Sequence, residues 1–578
     1  MPALTVELRD SRRLTGPNLL SDGPGAAIDC TLRGVSVDAF LNAWRTHVRD
    51  ALYAVGWGDQ YTVERRFEGG ATVFHSAPID ALYAATEVNE WAWAAAEADV
   101  RDQPPAEKLE AAASRLKALI DKERNPALLA LRTAAQERGV SFLSDDDYAS
   151  IGTGTGSRTW EVADLPRPNR VPWKEIHDVP RVLVTGTNGK TTTVRMLASI
   201  AEAAGHTAGF TCTDGIYVGG EVVDAGDWSG PGGARATLRD RRVELAILET
   251  ARGGMLRRGL AVDRADGALV TNVAADHLGE WGVLTVDDVA KTKLIVAKAV
   301  RHGAPLVVNA DDPHLSRVAR ALDRPLTWIA VDEADRARAD AGPEGTAWIV
   351  EAGWLVRTRD EESVSLAEVQ AIPATLGGAA VYNISNALGA AALAGALGLS
   401  DEAIRAGLLG FNASPEQSPG RGNLFDLGGV TVLVDFVHNP HGFAAMSQTV
   451  KRLASKRVGL MIGHAGDRDD ESIRELVRSA WQLAPERVAV KELRGYLRGR
   501  EPGEVPAIIR AELFALGAPS ASVSMHEDEV GAARALLLWA RDGDFLLLSS
   551  QSDRDEVLEL VEAVRTAGWK PGEDLPTP

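Results

Sequence analysis

The stretch VLVTGTNGKTTTVRMLASIAEAAG, residues 182–205, decides the fold of the region around it. Its first three residues are aliphatic and predict a short strand that is buried on both faces. The apolar residues between Val194 and Ala204 share one face of a predicted helix, which ends at Gly205. A glycine-rich loop joins the strand to the helix. This order is typical of a parallel α/β sheet that binds a nucleotide.

The residue types of the loop suit phosphate binding. Gly186 and Gly189 allow a tight turn, so that backbone amides and the positive end of the helix dipole converge on phosphate oxygens. Lys190 can bring an ammonium group to the β- and γ-phosphates, and the Thr191 hydroxyl can ligate Mg²⁺. The spacing is shorter than in the general phosphate loop, and a structural turn is the alternative. The strand–loop–helix context favours a nucleotide site formed by Gly186, Thr187, Asn188, Gly189, Lys190, Thr191 and Thr192.

The composition sets limits on the class of protein. The chain has 578 residues, a net charge of −19, 45% hydrophobic residues and 25% charged residues, which is typical of a globular protein with several domains. The negative charge argues against nucleic acid and anionic membranes as partners. Two cysteines and an opening without the apolar core of a signal peptide favour a cytoplasmic protein. The apolar run 387–399 is shorter than the ~18 residues that span a bilayer.

The pattern of residue types along the sequence changes twice, which predicts three domains. Residues 1–175 contain long Ala- and Glu-rich segments, including a predicted helix at 106–124, and end in the Gly/Pro-rich stretch 152–173, which we interpret as a linker. Residues 176–412 and 413–578 each alternate short aliphatic strands with helices, and 413–423 is interpreted as a hinge between them. The predicted strands lie at 182–184, 245–248, 268–270, 306–308, 430–434, 458–462, 488–490 and 545–548.

Several independent segments resemble the Mur ligases, a family of ATP-dependent enzymes that form amide bonds. The loop TGTNGKTT is followed by Glu249 at the end of the next apolar strand. The remaining matches are TNVAADHLGEWG at 271–282, VAKTKLIVAKAV at 289–300, VNADD at 308–312, YNISNALGAA at 382–391, PGRGN at 419–423, VDFVHNPHG at 434–442 and GHAGDRDD at 463–470.

Other segments are similar to cyanophycin synthetases, which build an aspartate backbone carrying arginine branches. LETARGGMLRRGL at 248–260, PGRGNLFDLGG at 419–429 and KELRGYLRGR at 491–500 resemble their Mur-like half, and RRLTGPNL at 12–19 resembles their N-terminal domain. Those enzymes carry an ATP-grasp domain between the two parts, for which this chain leaves no room. The resemblance therefore implies that the aspartate-adding activity of the ATP-grasp domain is absent from this chain, and that a companion ATP-grasp ligase is a candidate partner.

The resemblance also implies roles for individual residues. The catalytic residues would be Lys190, Glu249, His277 and Lys293. Mg²⁺ would be held by Thr191, Glu249 and His277. Lys293 would be carbamylated, with Lys291 and Lys298 as the neighbouring alternatives. The adenine would face Asn383 and Asn386, the ribose Asp435 and the phosphates Arg421. The substrate residues would be His438, Asn439, Asp467 and Arg468.

Most of these residues also have an ordinary structural interpretation. His277 could cap a helix, Asn383 and Asn386 could form an N-cap pair, and residues 467–469 could form a capped turn with an ion pair. Glu249 differs, because a carboxylate at the end of a buried strand is costly without a cation. The arginine clusters at 252–258 and 494–500 are either solvated surface or a grip on an acidic substrate. The N-terminal tryptophans are either core or a groove for a chain.

The expected fold is α/β, with a central P-loop parallel-sheet domain, a C-terminal Rossmann-like domain and an α+β N-terminal domain that binds the acceptor. By resemblance the protein is an ATP- and Mg²⁺-dependent carboxylate–amine ligase acting on an aspartate-containing or acidic peptide, and a homo-oligomer. A ligase of the Mur or folylpolyglutamate type with another acceptor is the first alternative. A non-catalytic partner of a companion ligase is the second.

Overall fold

The computed structural model describes residues 5–276, 278–342, 344–360 and 362–576. Within these ranges the strands form four sheets, which follow one another along the chain and contain four, three, eleven and six strands. No helix in the described ranges is long and apolar enough to cross a bilayer. The α/β class expected from the sequence is confirmed, because both larger sheets have parallel cores covered by helices.

The N-terminal region contains a four-stranded antiparallel sheet in the order β1-β2-β4-β3, and a three-stranded antiparallel sheet formed by β5, β6 and β7. Two long helices, α1 and α2, pack together on the first sheet around the buried Trp44. The elements are β1 (Thr5–Leu14), β2 (Gly25–Arg33), α1 (Val37–Ala54), β3 (Thr62–Phe67), β4 (Gly70–Ser76), α2 (Leu82–Val100), α3 (Leu109–Glu123), α4 (Pro126–Glu137), β5 (Phe142–Ser144), β6 (Tyr148–Ile151) and β7 (Arg158–Glu161).

The interpretation of residues 152–173 as a linker is wrong. β7 lies inside this stretch, and Trp160 and Trp173 pack against a small apolar core that includes Ile151. Glycine in this stretch allows close packing, because a side chain at Gly156 would overlap the backbone of His177. A Gly/Pro-rich composition is equally compatible with an open linker and with tight turns, so composition alone did not distinguish them.

The central region contains the eleven-stranded sheet, in the order β11-β10-β9-β12-β8-β13-β14-β15-β16-β17-β18. The seven strands from β9 to β16 in this order are parallel, and hairpins extend both edges. The elements are β8 (Arg181–Thr185), α5 (Lys190–Ala203), β9 (Ala208–Cys212), β10 (Gly215–Val218), β11 (Glu221–Ala225), α6 (Pro231–Arg239), β12 (Leu245–Glu249), α7 (Arg252–Arg258), β13 (Gly267–Val270), α8 (Val286–Lys293), β14 (Leu306–Asn309), α9 (Pro313–Ala319), β15 (Thr327–Ala330), α10 (Ala334–Ala341), β16 (Thr346–Glu351), β17 (Trp354–Arg359), β18 (Glu362–Glu368), α11 (Val381–Ala396) and α12 (Asp401–Gly410).

The C-terminal region contains the six-stranded sheet, in the order β19-β20-β24-β21-β22-β23. All its pairings are parallel except that of β19 with β20. The elements are β19 (Arg421–Leu427), β20 (Val430–Asp435), α13 (Pro440–Leu453), β21 (Val458–Ile462), α14 (Asp470–Trp481), β22 (Arg487–Lys491), α15 (Glu504–Ala515), β23 (Val523–His526), α16 (Glu529–Trp539), β24 (Phe545–Ser549) and α17 (Arg554–Thr566). The eight strands predicted from apolar runs coincide with β8, β12, β13, β14, β20, β21, β22 and β24.

Candidate active site

A cavity of about 550 Å³ lies at the carboxyl edge of the central sheet, where the C-terminal region faces it. Parallel strands bring the residues that follow them to one edge, which is where α/β proteins commonly bind ligands. The glycine-rich loop at 186–192, called the phosphate loop after its predicted role, follows β8 and reaches the cavity through residues 187–192. Other central strands end at or just before further lining residues, which are Thr213, Glu249, Asn272 and Asn309. The C-terminal region contributes Arg421, Asp435, Phe436, His438 and His441.

The phosphate loop adopts the predicted tight turn. Gly189 has a φ of 84°, and a side chain there would overlap the amide of Asn386 from α11. α5 begins directly afterwards at Lys190, so its free backbone amides face the same space. The Lys190 ammonium donates to the carbonyl of Thr187 at 3.1 Å. The six residues 187–192 line the cavity.

Thr191 and Glu249 form the part of the site that fits a divalent cation. The Thr191 hydroxyl donates to one carboxylate oxygen of Glu249 at 2.8 Å, and the other oxygen, Oε1, is buried with no hydrogen-bond partner among the residues that the structure describes. Burial raises the pKa of Glu249, although Lys190 and Arg421 oppose that shift. A hydroxyl and an unsatisfied carboxylate oxygen are hard ligands suited to Mg²⁺, which usually keeps several water ligands. No group of three or more His, Cys, Asp or Glu that could hold a metal occurs in the described ranges.

Lys293 lies buried at the end of α8, with 4% of its surface exposed. Burial and the neighbouring Lys190 lower its pKa well below the ordinary range of lysine. The two alternatives, Lys291 and Lys298, are both exposed. His277, the third predicted metal ligand, lies outside the described residues.

The amides of Asn188 and Asn439 join the two regions across the cavity. Asn188 lies in the phosphate loop, and Asn439 caps α13. Each amide nitrogen donates to the oxygen of the other, at 3.2 and 2.8 Å. Asn439 therefore holds the loop rather than lining the cavity.

Asp435 and His438 are two of the titratable groups by which the C-terminal region lines the cavity. Burial raises the pKa of Asp435 to about 6, although Arg421 opposes that shift. Burial lowers the pKa of His438 to about 4, so its imidazole is neutral at physiological pH. His438 donates from Nδ1 to the carbonyl of Phe436 at 3.0 Å, which leaves Nε2 as an acceptor.

Some of the remaining predicted residues line the cavity, and others lie outside its lining. Asn383 and Asn386 lie inside α11, which has Ala380 at its N-cap, so the N-cap interpretation is wrong for both. Asn386 lines the cavity, whereas Asn383 lies behind it and accepts from its amide at 3.0 Å. Gly186 also lies outside the lining, because it packs against the side chain of Thr271.

Asp467 and Arg468 lie outside the cavity lining, near the loop that follows β13. Arg468 contacts Asp276 at 3.5 Å and Asp467 at 3.4 Å. Asp469 caps α14, as the capped-turn interpretation of this segment expects. These contacts connect the C-terminal region to Asp276, the residue before His277.

Sequence reasoning missed several residues of the cavity. Thr213 follows β9 at the carboxyl edge, and its position after a buried strand was a usable signal. Tyr382 precedes the predicted asparagines, and its hydroxyl is buried with no hydrogen-bond partner among the described residues. Phe436 and His441 lay inside a quoted segment but had no distinguishing spacing.

Two family models match the regions that form this cavity. The model described as Mur ligase middle domain matches residues 184–394, and the model described as Mur ligase, glutamate ligase domain matches residues 420–551. The chain belongs to the Mur ligase family. The predicted family is thus confirmed, and both matched Mur ligase domains meet at the cavity.

Two relatives of this Mur ligase family member differ in identity and in the share of each chain that is covered. Cyanophycin synthetase of Synechocystis sp. is 37% identical over 408 residues, which cover 70% of this chain and 46% of that protein. UDP-N-acetylmuramoyl-L-alanyl-D-glutamate–2,6-diaminopimelate ligase of Corynebacterium glutamicum is 28% identical over 406 residues, which cover 67% of this chain and 72% of that protein. The chain thus spans slightly less than half the length of the cyanophycin synthetase.

A solved structure shows the same fold. E. coli FolC in complex with DHPP and ADP aligns with a TM-score of 0.50 and 22% identity, over 67% of this chain and 89% of that chain. The α/β architecture of the central and C-terminal regions is therefore that of a known structural group.

Proposed function

We propose that the protein is an ATP- and Mg²⁺-dependent carboxylate–amine ligase, which forms an amide bond through an acyl phosphate on an acidic or aspartate-containing peptide. The observation that carries this proposal is the Thr191–Glu249 pair, whose unsatisfied oxygen adjoins the phosphate loop. The cyanophycin synthetase relatives favour the acidic acceptor. The proposed domains are 1–175 for the acceptor, 176–412 for ATP and 413–578 for the incoming amine.

The loop residues provide the binding of the nucleotide phosphates. Backbone amides at the start of α5 donate to phosphate oxygens, and Lys190 exchanges its contact with Thr187 for one with the β- and γ-phosphates. Arg421 adds a guanidinium from the C-terminal region, which donates to the Thr213 hydroxyl beside Thr191. Together these cations reduce the repulsion between the γ-phosphate and an incoming carboxylate.

Thr191 and Glu249 would hold Mg²⁺, with His277 as the expected further ligand. The bound cation would neutralise phosphate charge and orient the γ-phosphate. The neutral Nε2 of His438 is an acceptor for the incoming amine. Closure of the two regions across the Asn188–Asn439 contact would exclude water from the acyl phosphate.

Phosphate release tests the proposal directly. The purified protein is incubated with Mg·ATP and amino acids crossed with aspartyl peptides, and products are identified by mass. Release that requires both an acid and an amine, with a product lighter by one water than their sum, is expected. No release with any pair would contradict the proposal. The diaminopimelate ligase relatives favour a second acceptor class, and turnover of muropeptide acceptors alone would establish it.

We also propose that Lys293 is carbamylated. The lowered pKa of Lys293 favours its uncharged amine, whose nitrogen lone pair attacks the carbon of CO₂. An N–C bond forms, one C=O π bond opens to an oxyanion, and the nitrogen loses a proton to water, which leaves a carboxylate-like carbamate. Activity is expected to fall in CO₂-depleted buffer and to return with bicarbonate. Lys293→Ala is expected to lose about 10²-fold or more in kcat, without rescue by bicarbonate.

The exposed Lys291 provides the matched control, because Lys291→Ala should keep both activity and the bicarbonate response. Carbon-13 NMR with labelled bicarbonate should show a carbamate signal that disappears in Lys293→Ala. A wild-type enzyme with neither the signal nor the dependence would refute carbamylation.

The raised pKa of Asp435 predicts a pH effect on nucleotide affinity. Above about pH 6 Asp435 is ionised and accepts strongly from a ribose hydroxyl, and below that pH it becomes protonated. The Kd for a Mg²⁺-bound, non-hydrolysable ATP analogue should therefore rise about tenfold between pH 7.5 and pH 5. The analogue also titrates in this range, so Asp435→Asn is measured at each pH. An identical pH dependence in this variant would contradict the role of Asp435.

A further inference from the structure

Asp214 lies at the centre of an arginine cluster beside the cavity. Its carboxylate follows β9 and is 5% exposed. Arg554 contacts it at 2.6 Å, Arg195 at 3.2 Å and Arg421 at 3.7 Å. One carboxylate thus pairs with three guanidinium groups. The nearly buried cluster therefore carries an excess of positive charge, which is unusual because arginine is seldom buried.

The three arginines come from different parts of the chain. Arg195 belongs to α5, whereas Arg421 begins β19 and Arg554 begins α17. Arg195 also donates to the carbonyl of Gln417, within the segment 413–423 that joins the central and C-terminal regions. Asp214 is therefore a central-region anion that holds two C-terminal cations at the point where the regions connect.

The cluster continues into the proposed cation site. Arg421 donates from Nη2 to the hydroxyl of Thr213 at 2.7 Å, and that hydroxyl lies 3.2 Å from the hydroxyl of Thr191. Thr191 in turn donates to Glu249. The Arg421 guanidinium also lies over the ring of Phe436 at 4.8 Å. A displacement of Arg421 would therefore disturb both sides of the cavity.

The Asp214 carboxylate balances part of the positive charge of the three arginines, so its removal is expected to be costly. Breaking a buried ion pair by removing one partner leaves the remaining charge uncompensated, which costs more than the pair itself contributes. Without Asp214, Arg195 and Arg421 lose the only carboxylate within ion-pair distance in the described ranges, and Arg554 keeps only Asp555. The guanidinium groups would then repel one another and separate.

We propose that Asp214 is a positioning residue that pairs with Arg421 and Arg554, and so holds the C-terminal region over the phosphate loop with Arg421 at the phosphates. This role rests on the proposed ligase function for its kinetic consequence. Its structural consequence, a closed junction between the two regions, is independent of the reaction.

Asp214→Asn tests the proposal, because it removes the charge and keeps the shape. We expect kcat for phosphate release to fall about 100-fold, the scale on which misplaced catalytic groups lower rates. Arg554→Gln removes one partner and is expected to lower kcat about tenfold. The double variant should be no slower than Asp214→Asn, because both changes break the same contact.

The matched control is Asp401→Asn in the central region, where Asp401 forms a two-point ion pair with Arg357 away from the cavity. This variant should keep the wild-type kcat. Small-angle scattering provides the second measurement, with a larger radius of gyration expected for Asp214→Asn than for the wild type and the control.

The outcomes separate the two proposals. An inactive wild-type protein contradicts the ligase function, and the scattering comparison then decides the role of Asp214 alone. Wild-type kcat and scattering in a folded Asp214→Asn protein would overturn that role. If Asp214→Asn fails to fold, Arg554→Gln decides, and unchanged kcat and scattering in that variant would overturn the proposal.

Discussion

Substitution of Lys190 by alanine is expected to abolish measurable amide formation. Lys190 begins α5 inside the phosphate loop, and its ammonium donates to the Thr187 carbonyl at 3.1 Å. No carboxylate forms an ion pair with Lys190 among the described residues, so the charge is available for phosphate. Loss of a charge that stabilises a transferring phosphoryl group costs about 10²–10³-fold in kcat or more.

The measurement is substrate-dependent phosphate release by the purified variant, with binding of Mg·ATP followed by calorimetry. Lys291→Ala is the matched control, because Lys291 is an exposed lysine that contacts Asp288 at 3.5 Å. The control should retain wild-type turnover. Near wild-type turnover in Lys190→Ala would contradict both the phosphate site and the ligase proposal.

Eight parallel strands of the two larger sheets were predictable because they are short aliphatic runs, whereas the parallel strands β9, β15, β16 and β23 were missed. A strand covered by helices on both sides is aliphatic throughout, and the runs at 182–184 and 545–548 show this directly. The edge hairpins were missed for the opposite reason. β11, for example, is exposed along its whole length and contains Glu221 and Asp224, so no apolar pattern marks it.

The parts of the candidate site that were predictable are those whose functional residues are neighbours in the sequence. The phosphate loop is such a part, because consecutive residues form the tight turn, begin helix α5 and include Lys190. Asp214 and Arg554 lie 340 residues apart and meet only in the folded chain. Their pairing depends on how the two sheets approach each other, and neither residue stands in a distinctive sequence pattern.

The same limit applies to residues that lie one layer behind the cavity. Asn383 and Asn386 have the same residue type and lie on one face of a helix, yet only Asn386 reaches the cavity. A spacing of three residues places both side chains in one direction, but it does not say which turn of the helix borders the ligand.

Substitution of Glu249 by glutamine is expected to change activity and stability in opposite directions. The carboxylate is fully buried, and within the described part of the chain its Oε1 has no hydrogen-bond partner, so the metal-free protein bears the cost of an unsatisfied charge. Glutamine keeps the shape and an acceptor for Thr191 but removes the charge. We therefore expect unfolding of the metal-free protein to require about 1–3 kcal/mol more at pH 8.

The pH dependence follows from the sign of the shift. The pKa of Glu249 is raised in the folded protein, so the folded state prefers the protonated acid. Its contribution to stability is present at low pH and is lost as the pH rises through the folded pKa. The stability difference between Glu249→Gln and wild type should accordingly be smaller at pH 5 than at pH 8, as measured by denaturant unfolding without Mg²⁺.

The activity of Glu249→Gln should fall although the metal-free protein becomes more stable, because glutamine is a poor ligand for Mg²⁺. We expect kcat to fall about 10²-fold or more, and the stabilisation of the wild type by Mg·ATP to be largely lost in the variant. Glu244→Gln is the matched control, since Glu244 is an exposed glutamate immediately before β12. It should change neither quantity appreciably. A Glu249→Gln protein that is less stable than wild type in the absence of Mg²⁺ would show that the buried carboxylate has a structural partner, and it would remove the main support for a cation site at this strand end.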